Sequence, residues 1–114
     1  MATILLSDPE HDSRVVLTAL LEALGHRVVD EIDSGKIDAA VIEPASRQAM
    51  TQVRHLRARR RDLPVICVSG RRRGSTAMRL DPVIFLGKPV PVGPFVRAVD
   101  AAVARTREPS VAAA

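Results

Sequence analysis

The chain has 114 residues, 46% of them apolar, with one cysteine, two phenylalanines and no tryptophan or tyrosine. That length gives one domain able to bury a core without disulfide or metal staples, and no apolar run approaches the roughly eighteen residues needed to span a bilayer. The net charge of +4 hides an asymmetry: residues 1–46 carry −6 and residues 47–114 carry +10, with nine arginines between Arg54 and Arg79.

Met1–Asp8 has no basic region ahead of its apolar residues, which argues against a signal peptide and for a cytoplasmic address. Thr3–Ser7 reads as a short strand, closed by Asp8-Pro9, a pair suited to starting a helix. From Glu10 to Leu24 the apolar positions Val16, Leu20 and Leu24 repeat at four, joined by Val15, Ala19 and Ala23. They predict an amphipathic helix with Val15 and Val16 on its inner side, stopped at Gly25. His26–Val29 reads as a second strand.

Only eight residues, 30–37, separate this strand from Asp38. Fully extended they reach roughly 26 Å, enough to cross a neighbouring strand but not to carry a full helix. One sheet face is therefore expected to be thin there, with exposed apolar surface favouring a homodimer. Ile37–Ile42 is an apolar run ending in Glu43-Pro44, the pattern of a strand buried on both faces.

Ser46 is a candidate cap for a helix over Ser46–Arg61, with Ala49, Met50, Val53 and Leu56 inward. Val65–Val68 is another buried strand, ending in Ser69-Gly70. It contains Cys67, which reads as a small buried hydrophobe rather than a reactive thiol. A basic loop follows, then a helical turn or two over Thr76–Leu80 and a fifth strand over Pro82–Leu86. Pro91 and Pro94 open a last helix with Phe95, Val96, Val99, Ala102 and Val103 inward. The expected organisation is one domain over residues 1–106 and a flexible tail over 107–114.

Five strands alternating with helices define an α/β fold with a parallel, doubly wound sheet. Ile4-Leu-Leu-Ser-Asp8, the strand ending at Glu43, Pro64-Val-Ile-Cys-Val-Ser69 and Phe85-Leu-Gly-Lys88-Pro89 follow in an order and spacing that resemble response-regulator receiver domains. The resemblance covers residues 3–105, and Lys88-Pro89 is its most specific piece. It implies strand order 2-1-3-4-5; the eight-residue connection leaves the second helix shortened or absent, and the nineteen residues from Ser69 to Lys88, a little fewer than the family usually has, leave the fourth helix short.

In that family an aspartate after the third strand accepts a phosphoryl group from a histidine kinase, and two acids after the first strand help hold Mg²⁺. A hydroxyl ends the fourth strand and a lysine the fifth. Metal and ammonium neutralise charge on the group being transferred. By this resemblance Asp8 matches the first acid, Ser69 the hydroxyl, Lys88 the lysine and Phe85 the switch aromatic. Pro9 takes the place of the second acid and Glu43 that of the phosphoacceptor.

A site short of one carboxylate holds Mg²⁺ weakly or not at all. Glutamate is longer than aspartate by about 1.5 Å, and an error of ~1 Å can slow in-line transfer ~10²-fold. The expectation is a stand-alone pseudo-receiver: no enzyme and no cofactor, acting through a signalling protein partner, with Glu43 engaging Lys88 as a fixed substitute for a phosphorylated aspartate. The alternative is a working receiver of a phosphorelay, with Glu10 as the replacement metal ligand and Glu43 accepting phosphate.

A weaker alternative is binding of nucleic acid or an anionic ligand through the arginine-rich loops. Arg71, Arg72 and Arg73 are the candidate anion contacts. They lie ~17 Å from Arg59, Arg60 and Arg61, at the opposite end of a five-residue strand, so the two groups form no single patch and a nucleic-acid partner is disfavoured. No metal-ligand spacing involves His11, His26 or His55, and nothing points to a membrane.

Overall fold

The computed structural model describes residues 1–71 and 74–107. The elements run β1 (Thr3–Ser7), α1 (His11–Ala23), β2 (Arg27–Val29), β3 (Ala39–Ile42), α2 (Arg47–Arg59), β4 (Val65–Ser69), α3 (Ser75–Met78), β5 (Ile84–Gly87) and α4 (Val92–Arg107). All strand pairs are parallel and the sheet order is β2-β1-β3-β4-β5. Residues 108–114, which hold nearly all of the expected tail, lie outside the described residues.

Strand alternation sorts the apolar residues into two layers. Ile4, Leu6, Val41, Ile66 and Val68 face α1 and α4, packing with Leu17, Leu21, Phe95 and Val99. Leu5, Ala40, Ile42, Val65 and Cys67 face the other way, onto Ala49, Met50 and Val53 of α2. Both faces of β3 and β4 are sealed, which is why these strands read as unbroken apolar runs.

Each helix boundary has a local cause. Helix α1 ends in a Schellman arrangement: the Gly25 amide donates to the Glu22 carbonyl and the His26 amide to that of Leu21, with Gly25 at φ 88°. At α2 the Ser46 hydroxyl accepts the Ala49 amide at 3.2 Å, as its position suggests. No helix forms between β2 and β3, in line with the length limit, and α3 has only four residues.

Two packing expectations need correction. The buried positions of α1 are Leu17 and Leu21, whereas Val15 and Val16 are 54% and 53% exposed. The expected positions Leu20 and Leu24 do pack, partly buried, against the same cluster, so the inner stripe is 17/20/21/24 and the expectation fails at the two valines. The β2–β3 connection also leaves no open apolar face. Ile37 is buried and Ile32 half-buried against the second cluster, so the loop covers Leu5 itself. The ground for self-association through that face is gone.

Candidate functional site

Parallel register brings four chain ends to one edge of the sheet. Ser7 pairs with Ile42, and the Glu43 amide donates to the Ser7 carbonyl at 3.0 Å. Ser69 pairs with Gly87, and the Lys88 amide donates to the Ser69 carbonyl at 3.0 Å. Asp8, Glu43, Ser69 and Lys88 each stand at or just past a strand's carboxyl end, where open α/β sheets place their sites. Asp8, Glu43 and Ser69 are buried.

The centre of the cluster is an ammonium. Lys88 Nζ lies 2.8 Å from Asp8 Oδ2, 3.6 Å from Glu43 Oε2 and 3.6 Å from Glu10 Oε2. The Asp8 and Glu43 side chains are 2% and 9% exposed and that of Lys88 is 14%, whereas Glu10 is 61% exposed. Burial works against the Lys88 charge. The hydrogen bond to Asp8 and the attraction of Asp8, Glu10 and Glu43 outweigh it and hold the lysine above its ordinary value.

The remaining carboxylate oxygens also have partners. Asp8 Oδ1 accepts the Glu10 amide at 2.9 Å, and Glu43 Oε1 accepts the Ala45 amide at 2.9 Å. These short turns fix both carboxylates before any ligand arrives. Glu10 Oε1 accepts the Ser13 hydroxyl at 3.1 Å, and Arg14 donates to the Asp8 carbonyl at 2.9 Å. The Lys88–Pro89 peptide bond is cis.

Glu43 and Lys88 are therefore within ion-pair distance, but the closest partner of the lysine is Asp8. Ser69 does not donate to Glu43; its hydroxyl accepts the Arg71 amide at 3.0 Å. Pro9 is exposed and lends no donor. Glu10 joins the cluster although it is one position beyond the second acid of the family pattern. It is the N-cap of α1 with extended backbone, φ −82° and ψ 117°, which turns its side chain off the helix and toward the edge. Glu10 is thus brought to the edge where the working-receiver alternative expects it.

Phe85 sits on β5 opposite Cys67, half-buried against the second cluster. It lines a cavity of about 230 Å³ with Pro44, Ala45, Ser69 and Arg71. A second cleft of about 410 Å³ opens on the other side of Lys88, between Glu10, Ser13, Val16 and Val90. The Arg71 side chain is exposed beside the edge; Arg72 and Arg73 lie outside the described residues. Among the second arginine group, Arg60 is engaged by Asp62 and the Ile37 carbonyl.

Cys67 is fully buried behind the cluster. Burial pushes its thiol up to about 11, the Glu43 charge adds to the rise, and Arg57 offsets part of it. At pH 8 that leaves about one thiol in a thousand ionised. Labelling of the native protein by a disulfide reagent at pH 8 is expected to be slow and to become complete only on unfolding. Rapid native labelling would show that the thiol is reached without unfolding.

The five parallel strands in the order 2-1-3-4-5 with helices on both faces are the receiver fold. A response regulator receiver protein from Pseudoalteromonas atlantica superposes with a TM-score of 0.74 at 21% identity, covering 92% of this chain and 99% of that one. One from Pseudomonas putida gives 0.72 at 25% identity, with 88% and 96% covered. The signal receiver domain of a modulated diguanylate cyclase from Desulfovibrio desulfuricans G20 gives 0.73 at 20% identity, with 94% and 97% covered. No protein-family model matches the sequence, and no curated protein matches it either. Among the described residues no helix is long and apolar enough to cross a membrane.

Proposed function

We propose that this chain is a pseudo-receiver, a non-enzymatic signalling module that works through protein contacts and without phosphorylation. One observation carries the reading: the Lys88 ammonium already occupies the point on which Asp8, Glu43 and Glu10 converge. An internal cation there supplies the neutralising charge that receivers otherwise take from a divalent metal and a lysine together.

The donor set fits Mg²⁺ poorly. Asp8 has one oxygen on a backbone amide and the other on the ammonium, and Glu43 Oε1 is held by the Ala45 amide. Mg²⁺ demands near-octahedral oxygen ligation and gives up water reluctantly. To bind here it would have to displace Lys88 or sit against its charge. With Pro9 where another acid would stand, the nearest substitute is Glu10, one position on, 61% exposed and itself 3.6 Å from the ammonium. Titration with Mg²⁺ is expected to leave the amide resonances of Asp8, Glu10, Glu43 and Ala45 without saturable shifts below a few millimolar.

The decisive test is incubation with a small phosphoryl donor and Mg²⁺, read by intact mass. No phosphoryl adduct is expected, and Glu43→Asp alone is expected to give none because Pro9 still withholds a ligand. Glu43→Asp with Pro9→Asp is the variant in which an adduct becomes feasible. An adduct on the wild-type chain that disappears in Glu43→Gln would instead establish the working-receiver alternative. The proximity of Glu10 to Lys88 is the observation that favours that second reading.

A further inference from the structure

Two unpartnered surfaces on this chain complement each other, and they lie on opposite sides of the sheet. The first is the outer face of α1. Val15 and Val16 are more than half exposed there, beside exposed Asp12 and Glu22. Arg14, the basic residue of this helix, is turned in to the Asp8 carbonyl. The face is thus apolar at its centre and acidic at both ends.

The second surface is a groove of about 370 Å³ between α2 and the α3–β5 turn. Its floor is Met50, Val53 and Leu80, and its rim carries Arg54, Arg57 and Arg79. Arg57 is committed to the Leu63 and Leu80 carbonyls. Arg54 and Arg79 are exposed and make no ion pair or hydrogen bond among the described residues. No acidic residue occurs between Arg47 and Arg61, and the acid at this rim is Asp81 on the α3–β5 turn, whose charge acts on Arg57. The groove exists because α3 is a single short turn of four residues, too short to cover this flank of α2.

We propose that the α1 face of one molecule docks in the α2–α3 groove of a second copy. Val15 and Val16 would meet the apolar floor, with Asp12 and Glu22 set against Arg54 and Arg79. A second copy is the favoured occupant because this chain itself carries both halves of the complementary pair. The α1 face cannot pair with its own twin, since that sets acid against acid, and the groove cannot pair with its twin for the converse reason. The contact is therefore heterologous. Helix α1 packs on one face of the sheet and α2 on the other, so repetition leads to an open stack or a ring rather than a closed dimer.

The experiment is sedimentation velocity with the full chain over a concentration series, at low salt and at about 0.5 M salt, where the screening length shrinks to well under ~10 Å. The weight-average mass is expected to climb with concentration at low salt and fall back toward the monomer at high salt. Val15→Lys and Arg79→Glu both alter exposed positions, and each variant alone is expected to be monomeric. An equimolar mixture of the two retains one intact groove and one intact face, so it should form a discrete 1:1 pair and stop there. Arg54→Glu serves as a second groove variant, with circular dichroism melts to verify folding. A wild-type mass independent of concentration overturns the proposal, as does association that survives both variants, or a mixture that stays monomeric.

Discussion

Lys88→Met is expected to lower unfolding free energy by about 3–5 kcal/mol, because it strands two buried carboxylates that have no other ion-pair partner among the described residues. Asp8 and Glu43 are 2% and 9% exposed, and the lysine is their shared counter-ion. For a domain of this size the melting temperature should fall on the order of 15–30 °C. Adding Asp8→Asn to Lys88→Met should recover part of the loss, since the amide needs no counter-ion. Double-mutant cycles then rank the contacts. Coupling of Lys88 to Asp8 should lie near the top of the roughly 0.5–3 kcal/mol range for interacting neighbours, coupling to Glu43 lower, and coupling to Glu10 below about 1 kcal/mol. A Glu43 coupling larger than that of Asp8 would mean that Glu43 is the principal partner after all. Strict additivity for Glu43 would remove it as a stand-in for phosphate.

The same site sets a pH dependence with a definite sign. The lysine is held above its ordinary value in the folded state, so its contribution is complete below about 10.4 and is lost as pH rises through the higher folded value. Cys67 adds a separate alkaline loss. Its thiol ionises near 9.0 when unfolded but near 11 when folded, so stability drains away between those values. Stability measured from pH 8 to 11.5 should fall in the wild type. In Lys88→Met only the earlier, thiol-linked part should remain.

Most of the architecture is legible in the sequence because the strands are buried on both faces, and such runs have few alternative readings. Val65–Val68 and Ala39–Ile42 could hardly be anything but central strands, and the spacing from Ser69 to Lys88 fixes where the carboxyl edge gathers its residues. The missing helix after β2 follows from chain length alone. What failed is instructive. Helix α1 offers two overlapping stripes, Val16/Leu20/Leu24 and Leu17/Leu21; the four leucines pack inward and Val16 does not, and one helix by itself cannot show where the buried face is centred. The choice is made by Phe95 and Val99 on the far side of the layer. The β2–β3 connection carries Ile32 and Ile37, two apolar residues in a short loop, and that was the sign that the loop closes its own face.

The partner order of Lys88 was not legible for a different reason. Asp8, Glu10 and Glu43 all converge on one edge by topology, but 2.8 Å against 3.6 Å is decided by side-chain rotamers and by which oxygen each backbone amide takes. Sequence fixes neither. The geometry also reshapes the phosphate-mimic idea. Glu43 stands 3.6 Å from the lysine while Asp8 makes the close contact at 2.8 Å, so the charge at this edge is that of the whole cluster.

Phe95→Ala is the second substitution with a large expected effect, about 3–5 kcal/mol, and it separates the two phenylalanines, which pack in different apolar layers on opposite faces of the sheet. Phe95 is completely buried among Leu17, Leu21, Val99 and the first sheet layer, where removing a ring leaves a cavity that helices on a rigid sheet close poorly. Phe85 is half-buried at the edge strand and borders the 230 Å³ cavity next to Ser69, so its neighbours and solvent can fill in. Phe85→Ala is expected to cost about half as much or less. Urea unfolding of both variants, compared at unchanged m-value, measures the difference directly. Equal losses would place Phe85 in the load-carrying core and leave little scope for it as an aromatic that moves. If the losses are unequal as expected, Phe85 is a position that can be changed without unfolding the domain, so the proposed role of the surface beside Ser69 can be tested there separately from stability.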